Sequence, residues 1–303
     1  MTNRFSDSHD IEFCRKLHRE YGTTYYFATM RFPEAIKWRV HALYGFVRIA
    51  DEWVDNPGNL TLEQQRQNLE AWRESMVTGL AGERPEHGVM RAFCDAMQDS
   101  GMPVEEAHCF LDAMIMDLDK DRYESYTELQ RYMRGSASAI GVLMCYAMGA
   151  KLDSQTLERA KVLGEAMQLT NFLRDIREDY DTRSRIYLPL EDMAKFGVTE
   201  DDIRNRRLTP EFVNLMKFEI DRARRLYALS DSGIASLPIE VRKPVQLARI
   251  LYSQILDEIE RMDYDVFSRR ARTSKIQKLS VAFRVYFDSI PGVLRLFRDA
   301  SPA

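Results

Sequence analysis

No proline interrupts the chain between Val104 and Leu188, a run of 85 residues. Proline is the residue that a helix interior tolerates least, because it lacks the backbone N–H and its ring clashes with the preceding turn. A proline-free stretch of this length fits two or three long helices. Elsewhere Pro and Gly punctuate the chain at Pro33, Asn56-Pro57-Gly58, 82–88, 101–103, Pro189, Pro210, Pro238, Pro244 and Pro291. Between them the spacing predicts helices over 34–55, 61–78, 89–99 and 104–122. Thr209-Pro210-Glu211 reads as a cap, a first-turn proline and an acid, opening a helix that runs to about Asp231. The segment 239–263 carries Leu247, Ile250, Leu251, Ile255 and Ile259 at three- and four-residue steps. No convincing alternating strand and no fixed-period repeat occurs. The expected architecture is all-α, a single domain over residues 1–303.

Composition narrows the function classes. Apolar residues make up 45% and charged residues 30% of the chain, the profile of a globular protein that buries a core. The formal net charge of −4 gives no global positive field for nucleic acid, so none is expected as a partner. Cys14, Cys94, Cys109 and Cys145 show no CxxC or metal-ligand spacing and read as reduced, buried thiols of a cytoplasmic protein. The first residues, MTNRFSDSHD, lack the apolar core of a secretory signal. The longest uncharged run, 135–150, falls short of the roughly 20 apolar residues a bilayer span needs, and reads as a buried helix.

The chemistry concentrates in two segments. In 41–55, Tyr44, Arg48, Asp51 and Asp55 step by four, three and four and share one helix face. The rest of that helix is Leu43, Phe46, Val47, Ile49, Ala50, Trp53 and Val54, apolar nearly all round, as in a core helix. Its charged stripe therefore faces a polar cavity, because buried charge needs a partner or a metal. In 168–180, Gln168, Asn171, Asp175 and Asp179 again share a face, with Leu169, Phe172, Leu173 and Ile176 around them. Each helix thus offers Asp-x-x-x-Asp, two carboxylates about 6 Å apart along the axis. Such pairs can hold a hard cation, and Mg²⁺ prefers oxygen ligands shared between carboxylates and substrate phosphates. Arg48 and Arg174 lie beside the motifs, in place for phosphate oxygens. One such pair is commonplace on a solvated face; two, each on a mostly apolar helix, favour the metal reading. Like charges four residues apart also destabilise a bare helix, so something must compensate them.

Other candidates carry less. The five histidines form no HExxH, and His41, on the Arg48 face, reads as a packed histidine rather than a cavity residue. No GxGxxG or GxxxxGK[ST] signals a nucleotide site, and Ser136 and Ser138 lack a nucleophile-elbow setting. Met114, Met116, Met144 and Met148 read as core, although a long apolar ligand would use the same residues. The stretch 275–298 mixes Lys275, Lys278, Arg284, Arg295 and Arg298 with Ile276, Leu279, Phe283, Phe287, Leu294 and Phe297. It reads as a last helix docked on the core, with an amphipathic surface helix drawn to anionic lipid as the alternative.

With these residues in place, the sequence resembles the squalene/phytoene synthase family over nearly its whole length. DEWVD at 51–55 and NFLRDIRED at 171–179 are similar to the family's two aspartate-rich motifs. The segment YGTTYYFATMRFP at 21–33 is similar to the portion that closes over the diphosphate. Tyr132-x-x-x-x-Ala137-x-x-x-Gly141 resembles its central helix, and RIYLP at 185–189 the element after the second motif.

The resemblance implies an isoprenoid-synthase helical fold around a central cavity and a head-to-head prenyl transfer dependent on Mg²⁺ (or Mn²⁺), with no NADPH. It implies that Asp51, Asp55, Asn171, Asp175 and Asp179 hold metal and that Arg48 and Arg174 meet diphosphate. Gln168 would line the cavity, and Tyr25, Tyr44, Tyr132, Tyr187 and Tyr252 would shield the carbocation. Tyr187 is counted with Arg48 and the four aspartates as catalytic. Glu52 stands where many members have Asp, and Gly22-Thr23-Thr24 where many have Ser-Lys-Ser/Thr, leaving diphosphate contact there to Thr24 or backbone N–H groups. The stretch from NFLRDIREDY through RIYLPLEDM is most similar to the phytoene-forming branch of bacteria and archaea. That implies geranylgeranyl diphosphate as substrate, with a C30 synthase using farnesyl diphosphate as the nearest alternative. A non-catalytic helical assembly factor is the alternative of another class. The resemblance further implies a cytoplasmic enzyme, with peripheral contact at the inner membrane face and a downstream carotenoid desaturase as partner both left open.

Overall fold

The computed structural model describes residues 4–150 and 152–287. Among the described residues fourteen α-helices follow one another: α1 Ser8–Tyr21, α2 Thr23–Thr29, α3 Glu34–Asp55, α4 Leu62–Leu80, α5 Gly88–Ser100, α6 Val104–Asp119, α7 Tyr126–Met133, α8 Ala139–Ala147, α9 Ser154–Arg183, α10 Leu190–Phe196, α11 Glu200–Arg204, α12 Pro210–Ile234, α13 Ile239–Arg261 and α14 Lys275–Phe287. A π-helical turn, Arg134–Ser138, joins α7 to α8. No strand occurs among the described residues; one isolated bridge pairs Arg122 with Ile186. The all-α expectation holds.

Helix starts are chemically marked. Asp7 caps α1 and Thr61 caps α4, each in a reciprocal capping box, and the Thr209 side chain accepts the Phe212 N–H ahead of Pro210. The proline-free run holds more pieces than the two or three helices expected. It contains α6 to α9 with the π turn, broken at 120–125 and 148–153. The breaks come from local chemistry that a proline count does not register: the Ser125 cap, a left-handed Gly149 (φ 64°) and the Asp153 cap.

The core is organised by α3 and α9, which carry the two acidic motifs. Helix α3 packs on α1, α4, α5, α6 and α8, and α9 on α8, α12, α13 and the π turn. Close approach of α9 to the π turn and α8 explains the Tyr-x-x-x-x-Ala-x-x-x-Gly spacing. A Cβ on Gly141 would lie 2.3 Å from the Ala160 carbonyl oxygen, so only glycine lets the two backbones meet there. Tyr132, about two and a half turns earlier, is then free to reach the neighbouring chamber.

Cys14, Cys94 and Cys145 are buried, but Cys109 is half-exposed. Met116 is exposed rather than core, whereas Met114 is buried. Helix α14 docks on α13 through Val281 and Ala282, and it also exposes a face. Leu294, Arg295, Phe297 and Arg298 lie outside the described residues. No helix among the described residues is long and apolar enough to cross a membrane.

Candidate active site

Two adjoining chambers open between α3 and α9. The first, about 650 Å³, is polar and holds Arg48, Asp51, Asp55, Asn171, Arg174, Asp175 and Asp179. The second, about 250 Å³, is walled mainly by apolar side chains, among them Leu43, Ile140, Met144, Leu163 and Ala248. Gln168, Asn171 and Tyr252 line both, so the chambers meet at these three residues.

The polar chamber is laced with arginine. Arg48 Nη1 sits 2.7 Å from Asp51 and its other arm bonds Glu52, while the guanidinium stacks on the Tyr21 ring. Arg183 Nη1 lies 3.3 Å from Asp55 on α3 and 2.9 Å from Asp179 on α9, bridging the two motifs. Arg185 reaches Asp55 at 3.4 Å and Asp117 of α6 at 3.0 Å. Between these arginines, Ser184 adopts a left-handed conformation (φ 52°) that ends α9. The turn lets residues on either side of it point to one place. Asp175 is held by its neighbour Arg174 at 2.5 Å and by Arg270 at 2.7 Å.

The carboxylates divide by environment. Burial, then the neighbouring charge of Asp55, pushes Asp51 up to about 7. Burial raises Asp55 and brings Asp117 up to about 6. Burial, followed by the charge of Asp175, lifts Asp179 well above the usual carboxylate range. Burial also acts on Asp175, but hydrogen bonds and charge from Arg174 and Arg270 outweigh it and hold that carboxyl low. Five aspartates thus crowd one chamber, and three of the four motif carboxylates are hard to ionise. In the same wall the Asn171 Oδ1 is buried without a hydrogen-bond partner, its Nδ2 donating to Gln168 at 3.3 Å. An all-oxygen donor set with surplus acid and an orphaned amide oxygen fits a hard divalent cation.

An aromatic stack floors this chamber. The Phe172 and Tyr187 rings are stacked at 4.1 Å, and Tyr132 lies 5.7 Å from Tyr187. The Tyr187 hydroxyl donates to the Asp117 carboxylate at 3.0 Å. Burial raises the Tyr132 and Tyr187 hydroxyls far beyond their ordinary value, so both stay protonated.

Apart from Gln168, Asn171 and Tyr252, which line both chambers, the candidate residues fall on one side or the other. Thr24, Arg48, Asp51, Asp55, Tyr132, Arg174, Asp175, Asp179 and Tyr187 line the polar chamber, while Tyr25 and Tyr44 line the apolar one. His41 lies in neither; its Nδ1 is 3.0 Å from that of His18, and His18 stacks on Tyr44 at 4.1 Å. That stack explains Gly22, where a Cβ would come within 2.7 Å of His18 and 2.9 Å of Tyr44. Met144 and Met148 turn out to be chamber wall.

Sequence reasoning missed Asp117, Arg183, Arg185, Arg270, Arg272 and Lys278, all at or beside the polar chamber. Asp117 left a trace: it stands in register with the buried Phe110 and Met114 on α6, a charge on an apolar stripe. Arg185 stands in the RIYLP element, though with no role read for it; the other arginines left no trace, because ion-pair partners far apart in sequence carry no periodic signal.

A helical shell around a carboxylate- and arginine-lined chamber that opens into an apolar one is suited to a ligand with a charged head and a long apolar tail. The family described as squalene/phytoene synthase matches residues 18–277, and the chain belongs to that family of prenyltransferase-type enzymes. A phytoene synthase of Arthrospira platensis is 37% identical over 90% of this chain and 91% of its own length. A 15-cis-phytoene synthase of Synechococcus elongatus is 34% identical over 90% and 91%. Among solved structures, a dehydrosqualene synthase in complex with ligand superposes with a TM-score of 0.85 at 26% identity, over 92% of this chain and 95% of its own. A squalene synthase of Alicyclobacillus acidocaldarius gives 0.77 at 26% identity, over 84% and 95%.

Proposed function

We propose that the chain condenses two molecules of geranylgeranyl diphosphate head to head into the C40 hydrocarbon phytoene, releasing two diphosphates and two protons. The observation that carries this reading is the junction of the chambers. Gln168, Asn171 and Tyr252 stand where a charged head would pass into an apolar tail. Relatives named phytoene synthase, at 37% and 34% identity over nine-tenths of the chain, support the C40 product.

In this reading Asp51, Asp55, Asn171, Asp175 and Asp179 would hold Mg²⁺. The bound metal supplies positive charge that neutralises the departing diphosphate. Arg48, Arg174, Arg270, Arg272 and Lys278 add donors for phosphate oxygens around the same chamber. The C–O bond of the first substrate breaks with its electron pair leaving on diphosphate, giving an allylic cation. The double bond of the second substrate attacks it, and proton loss closes a cyclopropane. Departure of the second diphosphate, rearrangement and a second proton loss complete the hydrocarbon. The walls contribute by excluding water and by presenting ring faces to the cation. Tyr132 and Tyr187, held protonated, act as ring faces and hydrogen-bond donors rather than as bases.

A C30 reaction on farnesyl diphosphate is the second reading, favoured by the dehydrosqualene and squalene synthases among the structural matches. One incubation separates them: purified protein with Mg²⁺, no NADPH, and each diphosphate supplied alone, with extracted products identified by mass. The C40 hydrocarbon from geranylgeranyl diphosphate is the expected result. A C30 product or a stalled cyclopropyl diphosphate from farnesyl diphosphate would assign the second reading. No product from either would leave a non-catalytic helical protein.

A further inference from the structure

Helix α14 has a face that the proposed reaction does not use. Ile276 is 80% exposed and Leu279 61% exposed, and with the exposed Phe283 and Phe287 they follow three- and four-residue steps along one side. Phe283 and Phe287 stack on each other at 4.8 Å. Ile239, 77% exposed, extends the strip: one turn after it on α13, Lys243 donates to the Tyr286 carbonyl at the far end of α14. The strip runs past residue 277, where the family match ends.

Charge is distributed with the same bias. Residues 266–287 hold six basic side chains and no acid, in a chain whose net charge is −4. Arg270 pairs with Asp175 and Glu178, and Arg272 and Lys278 line the polar chamber. Arg269, Lys275 and Arg284 are exposed and flank the apolar strip. Large aliphatic and aromatic side chains bordered by cations are the composition that seats a helix in the headgroup layer of an anionic bilayer. A second copy of the chain is disfavoured as occupant, because self-pairing would bring two basic borders together.

We propose that the α14 face is a docking surface for anionic lipid bilayers, with Ile276, Leu279 and Phe287 inserting and Lys275 and Arg284 meeting phosphate headgroups. Lys278 on the opposite side of this 13-residue helix lines the polar chamber, so the docked surface lies one helix diameter, about 10 Å, from the chamber wall. A chain that handles long apolar tails would then take its substrate and leave its product at the bilayer. That consequence rests on the proposed reaction; the surface itself does not.

The test is co-sedimentation of the full chain, without substrate, with vesicles of phosphatidylcholine alone or with about one-third phosphatidylglycerol. Wild type is expected to partition at least about tenfold better onto the anionic vesicles, with high salt weakening the preference. The variant Ile276→Ser, Leu279→Ser is expected to lose most of this binding. Lys275→Glu, Arg284→Glu is expected to lose the preference for anionic lipid. Turnover on detergent-dispersed substrate, measured separately, is expected to be unchanged in both, so failure of docking and failure of the proposed reaction are distinguishable. Equal partition onto both vesicle types would overturn the proposal. So would wild-type binding by the serine variant, whether its melting temperature drops (the strip then packs on the chain's own last residues) or a wild-type dimer splits.

Discussion

The two chambers are built on opposite principles. The polar one is held by ion pairs, and its acids are strained: Asp51, Asp55, Asp117 and Asp179 are all pushed upward, and the chain places Arg183 and Arg185 against them. The apolar one is shaped by close packing, with glycine where α8 crosses α9 and methionine in the wall. The first gathers charge at a cost in stability; the second contributes to the core and, in the proposed reaction, would measure chain length. Changes in the two chambers should therefore fail in different ways.

The sharpest separation comes from Asp51→Asn and Asp175→Asn. Each is expected to lower turnover by about 10³-fold or more while leaving the helical circular dichroism intact. Asp51→Asn is also expected to raise the melting temperature at pH 8, by about 2 °C, because it removes a charge penalised by burial and then by repulsion from Asp55. A fall in melting temperature would contradict the division of labour.

In the apolar chamber, Ala248→Phe adds a ring to the wall. It is expected to cut the C40 product about tenfold or more while sparing a shorter-chain diphosphate, as read by product mass. Equal loss on both chain lengths would mean that this chamber does not measure length. Gly141→Ala forces a methyl against the Ala160 carbonyl and is expected to cost about 1–3 kcal/mol in denaturant unfolding.

The smallest effect concerns the His18–His41 pair beneath Tyr44. Burial, then the charge of His41, holds His18 down at about 2, and burial, then the charges of Arg15 and Lys37, holds His41 at about 4. In the unfolded chain both take protons below about pH 6.5. Their contribution to stability is therefore full above that pH and is lost as pH falls toward 4. Relative to His18→Leu, His41→Leu, wild type is expected to lose about 2–4 °C of melting temperature between about pH 7 and pH 5. The raised acids of the polar chamber act with the opposite sign, so the difference between the two proteins is the quantity to read.

The polar chamber was legible in the sequence because it breaks a rule there. Asp51, Asp55, Asp175 and Asp179 put charge beside runs of apolar residues, Ile49, Ala50, Trp53 and Val54 on one helix and Leu169, Phe172, Leu173 and Ile176 on the other, and such conflicts mark function. The apolar chamber was not, since Ile140, Leu163 and Ala248 obey the same periodicity whether they fill a core or line a void. Met144 and Met148 read as core for that reason, with a long apolar ligand as the alternative, and they stand in the chamber wall. Helix existence followed from proline spacing and apolar steps, whereas the breaks at 120–125 and 148–153 depended on caps and on one left-handed glycine. The His18–His41 contact spans 23 residues with no periodic trace, and Gly22 became intelligible only once that pair and Tyr44 were seen together.

The Arg183 bridge between Asp55 and Asp179 has a practical consequence. A guanidinium that touches both motif helices ties α3 to α9 without the help of a divalent ion. In the proposed metal-bound state, ions would exchange one counter-charge for another and leave the architecture as it is. A chelated preparation should therefore keep, shelf-stable, a scaffold that needs only ions and substrate to resume work.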